Sequence, residues 1–260
     1  MSRPILHTRK LCIGYTGKRQ NTVIAENVDI ALAPGKLIAL IGANGVGKST
    51  LLRTLTRIQR PLSGEIRLHE DSIESYSAPE LAQGFSVVLT EKLPPSNLTV
   101  AELVALGRQP YTNWIGQLTP ADTRHIRDAM ALTGVSDLAA KKHYALSDGQ
   151  LQKVLIARAL AQDTPLIILD EPTTHLDLLH KVSLLRLLKK LARAGKCILF
   201  STHDIDLALE LSDEMIVMTA GKTVQGAPSA LIANGVFNAL FDDEHIAFDV
   251  EKAKFIFKNL

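Results

Sequence analysis

Cysteine is scarce in this chain, and long hydrophobic runs and an excess of charge of one sign are missing. The two cysteines, Cys12 and Cys197, lie far apart and outside any CxxC spacing, so they indicate neither a disulfide framework nor a zinc site. The densest apolar segments have the length of buried strands and fall short of the roughly 18 residues that cross a bilayer. With 29 Lys and Arg against 27 Asp and Glu, the net charge of +2 gives no support to a polyanion-binding role.

What the chain does have is the composition of an ordinary globular protein. Hydrophobic residues make up 46% and charged residues 22% of its 260 residues, which is enough apolar material for a sizeable core. At about 150 residues per domain, this length fits one large domain or a core with one inserted subdomain. The first ten residues contain no apolar run typical of a secretory signal, so we expect a cytoplasmic protein.

Strand and helix patterns alternate along most of the chain. The fully apolar run Leu37–Ile41 predicts a buried strand, and a glycine-rich turn separates it from a helix predicted over Ser49–Ile58. Helices and strands alternate again from Gln150 to Met218. This alternation predicts parallel strands with helices on both faces of the sheet, which is an α/β fold.

The stretch from about Pro94 to Tyr144 has a different character, because helical patterns replace the strand patterns. We therefore predict that 94–144 is an inserted helical subdomain, and that 1–93 and 145–226 form a β subdomain plus the core. The tail, 227–260, combines a helical pattern over 229–241 with alternating apolar residues after it, and no role follows from either pattern.

The motif G-x-x-x-x-G-K-[ST] occurs once, as Gly42–Ser49 (GANGVGKS), between the buried strand and the following helix. Its glycines let successive backbone N–H groups converge on phosphate oxygens, and the helix adds its positive N-terminal end. We expect Lys48 to bridge the β- and γ-phosphates and Ser49 to bind Mg²⁺. The predicted nucleotide-binding residues of this phosphate loop are Gly42, Asn44, Gly45, Gly47, Lys48, Ser49 and Thr50.

Two carboxylates follow a second apolar strand pattern, in Leu166–Glu171 (LIILDE). Ligands of open parallel sheets sit at such strand ends. We assign Asp170 to the metal shell, directly or through water, and Glu171 to the base that polarises an attacking water. The chain lacks the N-K-x-D motif of guanine-specific proteins. A catalytic Glu directly after the metal Asp favours hydrolysis over the phosphoryl transfer of small-molecule kinases.

Three further runs occur in a specific order, and they are Ala145–Gln150 (ALSDGQ), Asp170–Asp177 (DEPTTHLD) and Ser201–Asp204 (STHD). This series resembles the signature, D-loop and switch histidine of ATP-binding cassette (ABC) ATPases. The resemblance implies a P-loop NTPase fold of the ABC ATPase type, with an N-terminal antiparallel β subdomain, a RecA-like parallel-sheet core and the inserted helical subdomain. Leu98–Tyr111 and Glu171–Asp177 are similar to the ATPase subunits of importers for ferric siderophores, haem and cobalamin.

The resemblance also implies roles for residues outside the phosphate loop. Tyr15 matches the aromatic residue that stacks on adenine, and His203 matches the histidine that positions water with Glu171. Residues Ser147, Gly149 and Gln150 match the signature that caps the γ-phosphate of ATP held by the opposite subunit. Asp177 matches an aspartate that acts across the same dimer. A monomer is therefore expected to be catalytically incomplete.

Two positions depart from the family pattern. Asp148 stands where the signature normally has Gly, and we expect its carboxylate to point away from the nucleotide. Thr90 stands where a glutamine normally contacts Mg²⁺; either Glu91 reaches the metal instead or a water fills the gap, and we favour water.

The resulting expectation is the ATP-binding and ATP-hydrolysing subunit of an importer for a metal chelate. Its cofactors would be ATP and Mg²⁺. Its partners would be a second copy, membrane-embedded permease subunits and, indirectly, an extracytoplasmic substrate-binding protein, at the cytoplasmic face of the membrane and without nucleic acid. Two alternatives remain open: an ABC ATPase for export or for another substrate, and a soluble ABC switch protein.

Overall fold

The computed structural model describes residues 3–17, 20–89, 93, 96–174, 176–240 and 246–257. Its strands, numbered along the chain, are β1 (Leu6–Tyr15), β2 (Thr22–Val28), β3 (Ala31–Leu32), β4 (Leu37–Gly42), β5 (Ser63–Leu68), β6 (Asp71–Ser72), β7 (Phe85–Val88), β8 (Leu166–Leu169), β9 (Cys197–Ser201), β10 (Glu214–Thr219), β11 (Lys222–Gly226), β12 (Ile246–Asp249) and β13 (Lys254–Phe257).

Helices connect these strands. They are α1 (Lys48–Leu55), α2 (Ala78–Gly84), α3 (Val100–Ala105), α4 (Pro120–Thr133), α5 (Asp148–Ala161), α6 (Leu178–Arg193), α7 (Ile205–Leu211) and α8 (Pro228–Ala233). Short 3₁₀ turns occur at Ile73–Ser75, Leu106–Tyr111, Ser136–Leu138, His143–Ala145 and Val236–Ala239.

The central sheet has the strand order β11-β10-β4-β9-β8-β7, and all its neighbours are parallel except the pair β10–β11. Its inner strands are apolar on both faces because helices or strands cover both. In β4, Leu37, Ala39 and Ile41 pack into one hydrophobic core and Ile38 and Leu40 into the other. The parallel α/β arrangement predicted from the sequence is confirmed.

The N-terminal sheet is antiparallel, with the order β2-β1-β5-β6 and β3 paired to β1. It packs on the face of the central sheet that carries α1, because residues of β1, α1 and the central strands share one core. Between β7 and α5, the described residues form helices and turns, joined by one isolated bridge between Thr99 and Lys142. The domain boundaries at 94 and 144 stay predictions.

The tail differs from its sequence pattern. The helix predicted over 229–241 ends at Ala233, because Asn234 leaves the helical region and Gly235 adopts a left-handed backbone with φ of 67°. Strands β12 and β13 then form a hairpin. The alternation of apolar residues indicated a strand in this region but not its pairing with a second one. Phe248 of this hairpin stacks on Phe237 at 4.7 Å between ring centroids and so attaches it to the body of the protein.

None of the helices in the described part of the chain combines the length and hydrophobicity that crossing a membrane requires.

Candidate nucleotide site

Three neighbouring strands of the central sheet end at the same edge, and each delivers part of the predicted site. The phosphate loop follows β4, the carboxylates Asp170 and Glu171 follow β8, and His203 follows β9. Because β9 lies between β4 and β8, the three segments meet at the carboxyl ends of the strands. The sequence alone places these residues at strand ends but does not predict the strand order that joins them.

The phosphate loop has the backbone that its glycines permit. Gly45 and Gly47 have φ of 77° and 110°, in the left-handed region that favours glycine. Gly47 is also the N-cap of α1, and a Cβ there would lie 2.3 Å from Cγ2 of Ile24. The result is a glycine cradle at a helix N-terminus, a geometry suited to phosphate groups.

Lys48 is buried in this loop. Its Nζ donates hydrogen bonds to the carbonyl oxygens of Gly42 at 2.9 Å and Ala43 at 3.2 Å. Burial lowers the pKa of Lys48, and the nearby carboxylates of Glu171 and Asp170 partly oppose this by raising it. A desolvated ammonium group beside a glycine-lined loop favours an anionic ligand.

Tyr15 lies beside the same helix and is half exposed. Its hydroxyl shares a hydrogen bond of 3.1 Å with the hydroxyl of Thr50, while 51% of the residue's surface stays accessible. This placement leaves ring surface available for stacking, as the sequence interpretation requires, although the role itself stays a prediction.

Ser201, at the end of β9, links the two carboxylate residues. Its Oγ donates to Oδ1 of Asp170 at 2.6 Å and accepts the backbone N–H of Glu171 at 2.8 Å. Asp170 and Ser201 are both buried. The sequence interpretation missed Ser201, although a hydroxyl that ends the apolar run Cys197–Phe200 was a usable signal.

Glu171 adopts a left-handed backbone with φ of 48°, which is uncommon for a residue with a side chain. Its Oε1 lies 2.7 Å from Nε2 of His203, and its Oε2 accepts a hydrogen bond from the hydroxyl of Thr174 at 3.1 Å. If the carboxylate is ionised, Nε2 of His203 must carry the proton. The structure thus brings together the predicted base and the predicted switch histidine, and it adds Thr174.

The residues that match the signature, Ser147–Gln150, do not lie with the phosphate loop. Ser147 is the N-cap of α5 and forms a reciprocal capping box with Gln150, in which each side chain accepts a hydrogen bond from the other residue's backbone N–H. Ser147–Gln150 line a cleft of about 710 Å³ together with Leu176, Asp177 and His180. Residues 42–50 are not among the described residues that line this cleft, so the phosphate loop and Ser147–Gln150 lie in different places on one chain.

Asp177, which lines this cleft, is held in place by His180. As the N-cap of α6, it accepts the backbone N–H of His180 at 2.9 Å, and its Oδ1 also lies 2.8 Å from the Nδ1 of that residue. The backbone hydrogen bond, and to a smaller degree the side-chain hydrogen bond, hold the pKa of Asp177 below its ordinary value. The carboxylate of Asp177 is therefore fixed in direction by its contacts with His180.

The two departures from the family pattern have different outcomes. Asp148 lines the cleft with the other signature residues, and the expectation that it points away from a bound nucleotide stays a prediction. Thr90 and Glu91 lie outside the described residues.

The predicted substrate class rests in part on the segment Leu98–Tyr111. In the structure, Arg108 of this segment has a structural role. Arg108 is buried and forms an ion pair with Asp122 of α4 at 2.8 Å. It also donates to the carbonyl oxygen of Ala161 at 2.8 Å and lies 4.0 Å from the ring centre of Tyr111. Arg108 thereby joins three elements of the helical region.

The donors at the phosphate loop suit a nucleotide with Mg²⁺. Mg²⁺ prefers oxygen ligands and is usually held by one or two carboxylates together with substrate phosphates. Ser49 offers a hydroxyl in the first turn of α1, and Asp170 offers a buried carboxylate at the end of β8. The glycine cradle and Lys48 supply the complementary contacts for phosphate, so the residues present fit both groups.

Comparison with known proteins gives a consistent result. The family model described as ABC transporter matches residues 25–174. An iron(3+)-hydroxamate import ATP-binding protein of Bacillus subtilis is 42% identical over 221 residues, covering 85% of this chain and 81% of that protein. A ferric enterobactin transport ATP-binding protein of Escherichia coli is 37% identical, covering 91% of this chain and 86% of that protein.

Solved structures agree with the sequence relatives. A chain of an inward-facing ABC transporter has a TM-score of 0.79 at 28% identity and covers 98% of this chain and 96% of its own. A dimeric bacterial ABC transporter cassette has a TM-score of 0.76 at 26% identity, covering 86% of this chain and 98% of its own. The family match spans more than half of the chain, and the fold agrees with it. The chain therefore belongs to the ABC transporter family, as a nucleotide-binding subunit that hydrolyses ATP.

Proposed function

We propose that this protein powers the import of a metal chelate across a cell membrane, working as a pair of identical copies on membrane-embedded permease subunits. One observation supports the paired mechanism: the phosphate loop and the residues that match the signature lie apart on a single chain. The import direction and the substrate class rest on relatives whose names describe ferric siderophore and cobalamin transport.

In this proposal the chain's own residues bind and orient. Lys48 and the loop N–H groups hold the β- and γ-phosphates of ATP, and Tyr15 stacks on the adenine. The residues that complete this half-site in the loop are Gly42, Asn44, Gly45, Gly47, Ser49 and Thr50. Mg²⁺, held by Ser49 and Asp170, supplies charge neutralisation at the phosphates when it is bound.

Glu171 accepts a proton from the attacking water, and His203 holds the carboxylate in place. The 2.7 Å contact with Nε2 of His203 and the bond from Thr174 fix its direction. An ionised carboxylate has about four acceptor sites, so two neighbours leave room for a water. Catalysis then consists of positioning and electrostatic stabilisation, with no covalent intermediate.

The second copy closes the site. Ser147, Gly149 and Gln150 of one copy face the γ-phosphate held by the other, where the N-terminus of α5 adds its positive end. Asp177 acts across the same contact. ATP binding draws the copies together, hydrolysis releases them, and the movement is passed to permease subunits at the cytoplasmic face of the membrane.

Purification of the tagged chain with its membrane subunits, followed by reconstitution in lipid vesicles, tests the proposal. We expect ATP hydrolysis by the assembled complex to rise when a ferric siderophore, haem or cobalamin is supplied with an extracytoplasmic binding protein. Stimulation by an unrelated substrate would contradict the substrate class. Copurification with RNA or DNA, and with no membrane protein, would favour a soluble switch.

A further inference from the structure

An exposed apolar loop joins the 3₁₀ turn Leu106–Tyr111 to α4, and the mechanism above does not use it. At the tip of this segment, the Trp114 loop (residues 112–118), Trp114 and Ile115 expose 94% and 70% of their surfaces. Removing large apolar side chains from water is favourable, and these two gain almost nothing from it within their own chain. Two such side chains next to each other at one tip indicate a contact surface.

The loop and its flanks carry no charge. Residues 109–121 contain no Asp, Glu, Lys or Arg, although these four types make up 22% of the chain. Its polar members include the uncharged amides Asn113 and Gln117. Burying a charge without a partner costs far more free energy than burying an uncharged group, so this tip can leave water at little cost. A tryptophan among uncharged polar residues is typical of the membrane–water interface.

The backbone of the tip is paired within the loop itself. Oδ1 of Asn113 accepts hydrogen bonds from the N–H of Ile115 at 3.2 Å and from the N–H of Gln117 at 3.0 Å. The carbonyl oxygen of Asn113 accepts the N–H of Gly116 at 2.9 Å, and a φ of 76° at Gly116 closes the turn. Because an unpaired N–H is costly where water is excluded, this pairing lets the tip enter such a region.

Both ends of the loop are fixed to the helical region. Before it, the guanidinium of Arg108 lies 4.0 Å from the ring centre of Tyr111. After it, Thr119 is the N-cap of α4 and forms a reciprocal capping box with Asp122. A loop that is already ordered loses little conformational entropy when it binds.

Two basic residues follow the loop along α4. Arg124 and Arg127 are exposed, and an exposed carboxylate, Asp128, comes after them. In the part of the chain that the structure describes, neither arginine forms an ion pair. At about 1.5 Å per residue, both lie within about 11 Å of the start of the helix. Basic residues this close to an anionic membrane surface favour binding to it.

We infer that the Trp114 loop inserts Trp114 and Ile115 into the interfacial region of a lipid membrane, with Arg124 and Arg127 near anionic headgroups. The inference goes beyond the proposed function, which attaches the chain to the membrane through protein partners alone. A lipid surface suits this tip better than a protein pocket does. The tip protrudes, is uncharged and has its backbone donors in use, whereas specific protein interfaces carry many direct hydrogen bonds.

The fluorescence of Trp114 provides the test, because it is the single tryptophan of the chain. With vesicles of phosphatidylethanolamine and phosphatidylglycerol, we expect its emission to move to shorter wavelength and to be quenched by a spin-labelled lipid. Ile115→Ser should raise the lipid concentration at half of this shift by about tenfold. Ile58→Ser, at another exposed isoleucine, is the matched control and should leave that concentration unchanged.

Neutral vesicles of phosphatidylcholine separate the apolar contribution from the charge. We expect them to shift the emission as well, but at higher lipid concentration than the anionic vesicles. The double variant Arg124→Gln, Arg127→Gln should remove this difference between the two lipids. All these variants should melt at the temperature of the unaltered chain, because the replaced side chains are exposed.

The inference is wrong if no vesicle changes the emission of Trp114, or if Ile115→Ser responds to lipid as Ile58→Ser does. A shift that occurs with detergent-solubilised permease subunits, beyond that in detergent alone, and not with vesicles would assign the loop to a protein contact instead. A double arginine variant that keeps the full preference for anionic lipid would overturn the role of Arg124 and Arg127. Each result leaves the proposed function intact, since ATP hydrolysis by the reconstituted complex tests that function.

Discussion

At the scale of single residues, Glu171 combines an uncommon backbone with a carboxylate held by two neighbours. Its left-handed φ of 48° is maintained by the bond from its N–H to Ser201, and its side chain is held by His203 and Thr174. Strained residues of this kind cluster at functional sites because the surroundings hold them in place. The geometry therefore directs the carboxylate toward the edge of the sheet where the phosphate loop lies.

Glu171→Gln should reduce the maximal rate of ATP hydrolysis by about a hundredfold or more, because an amide cannot accept the proton of the attacking water. Affinity for ATP should stay close to that of the unaltered protein, since the phosphate loop is untouched. Phosphate-release assays and nucleotide titration measure the two quantities. Rapid hydrolysis by this variant would remove Glu171 from the role of base.

Ser201→Ala tests the link between the carboxylates. It leaves the N–H of Glu171 without its acceptor, so we expect a loss of about 1–3 kcal/mol in the free energy of unfolding, together with slower hydrolysis. Ser212→Ala is the matched control, because the buried Ser212 hydroxyl has no hydrogen-bond partner in the described structure. Equal effects of the two substitutions in denaturant titrations and rate assays would show that Ser201 has no special task.

At the scale of elements, the helical region depends on one buried ion pair. Asp122, in the first turn of α4, accepts hydrogen bonds from the hydroxyl and N–H of the N-cap residue Thr119 and pairs with Arg108. These contacts, those with Thr119 most of all, lower the pKa of Asp122 to about 2. A carboxyl with a depressed pKa stabilises the fold above its unfolded pKa of about 3.9. That stabilisation is lost as the pH falls toward about 2.

Asp122→Asn should therefore lower the melting temperature at neutral pH and make it less sensitive to acid between about pH 5 and about pH 2. Asp128→Asn, on the exposed side of the same helix, is the control and should reproduce the acid profile of the unaltered protein. Calorimetry across this pH range provides the measurement. Parallel acid profiles for Asp122→Asn and the unaltered protein would contradict the assigned pKa.

The tail hairpin is a second element, and an aromatic cluster contributes to its attachment. Phe248 packs on Phe237 and lies 5.1 Å from Phe255 between ring centroids, so Phe248→Ala should weaken hairpin docking by about 3 kcal/mol. Hydrogen exchange should then accelerate in 246–257 while β4 stays protected. The exposed Val250→Ala should change neither region. Uniform acceleration through β4 would show that the hairpin unfolds only with the core.

The sequence predicted structure best where a regular pattern of apolar residues continued over a whole strand or helix and a motif lay next to it. It predicted β4, α1, β8 and β9, because their apolar residues are buried by the central sheet. The prediction missed α2 and β11, which are short, although the capping-box pattern at Ser77 and Glu80 and the close spacing of β10 and β11 were usable signals. Ser201 was missed because its hydrogen bonds to Asp170 and Glu171 exist only once β8 and β9 lie side by side. Thr174 was missed although it lies only three residues after the Glu171 carboxylate that it contacts.

At the scale of the whole molecule, one chain carries two complementary surfaces that do not meet. The phosphate loop, the carboxylates and His203 share the edge of the central sheet, whereas Ser147–Gln150 and Asp177 line their own cleft. In the proposed function, a second copy supplies the missing surface to each. The helical region, held by Arg108, contributes Val135 and Leu138 to the cleft that Ser147–Gln150 line.

The most direct measurement of the paired mechanism is the mass of Glu171→Gln in solution, by sedimentation, with and without ATP. We predict a monomer without nucleotide and a dimer with ATP and Mg²⁺, because bound triphosphate that is not hydrolysed holds the two half-sites together. Adding Ser147→Arg to the same variant should abolish the dimer while ATP binding to the phosphate loop persists. Two results together would contradict the paired mechanism. The variant would bind ATP fully and stay monomeric, and the unaltered chain would hydrolyse ATP at full rate as a monomer.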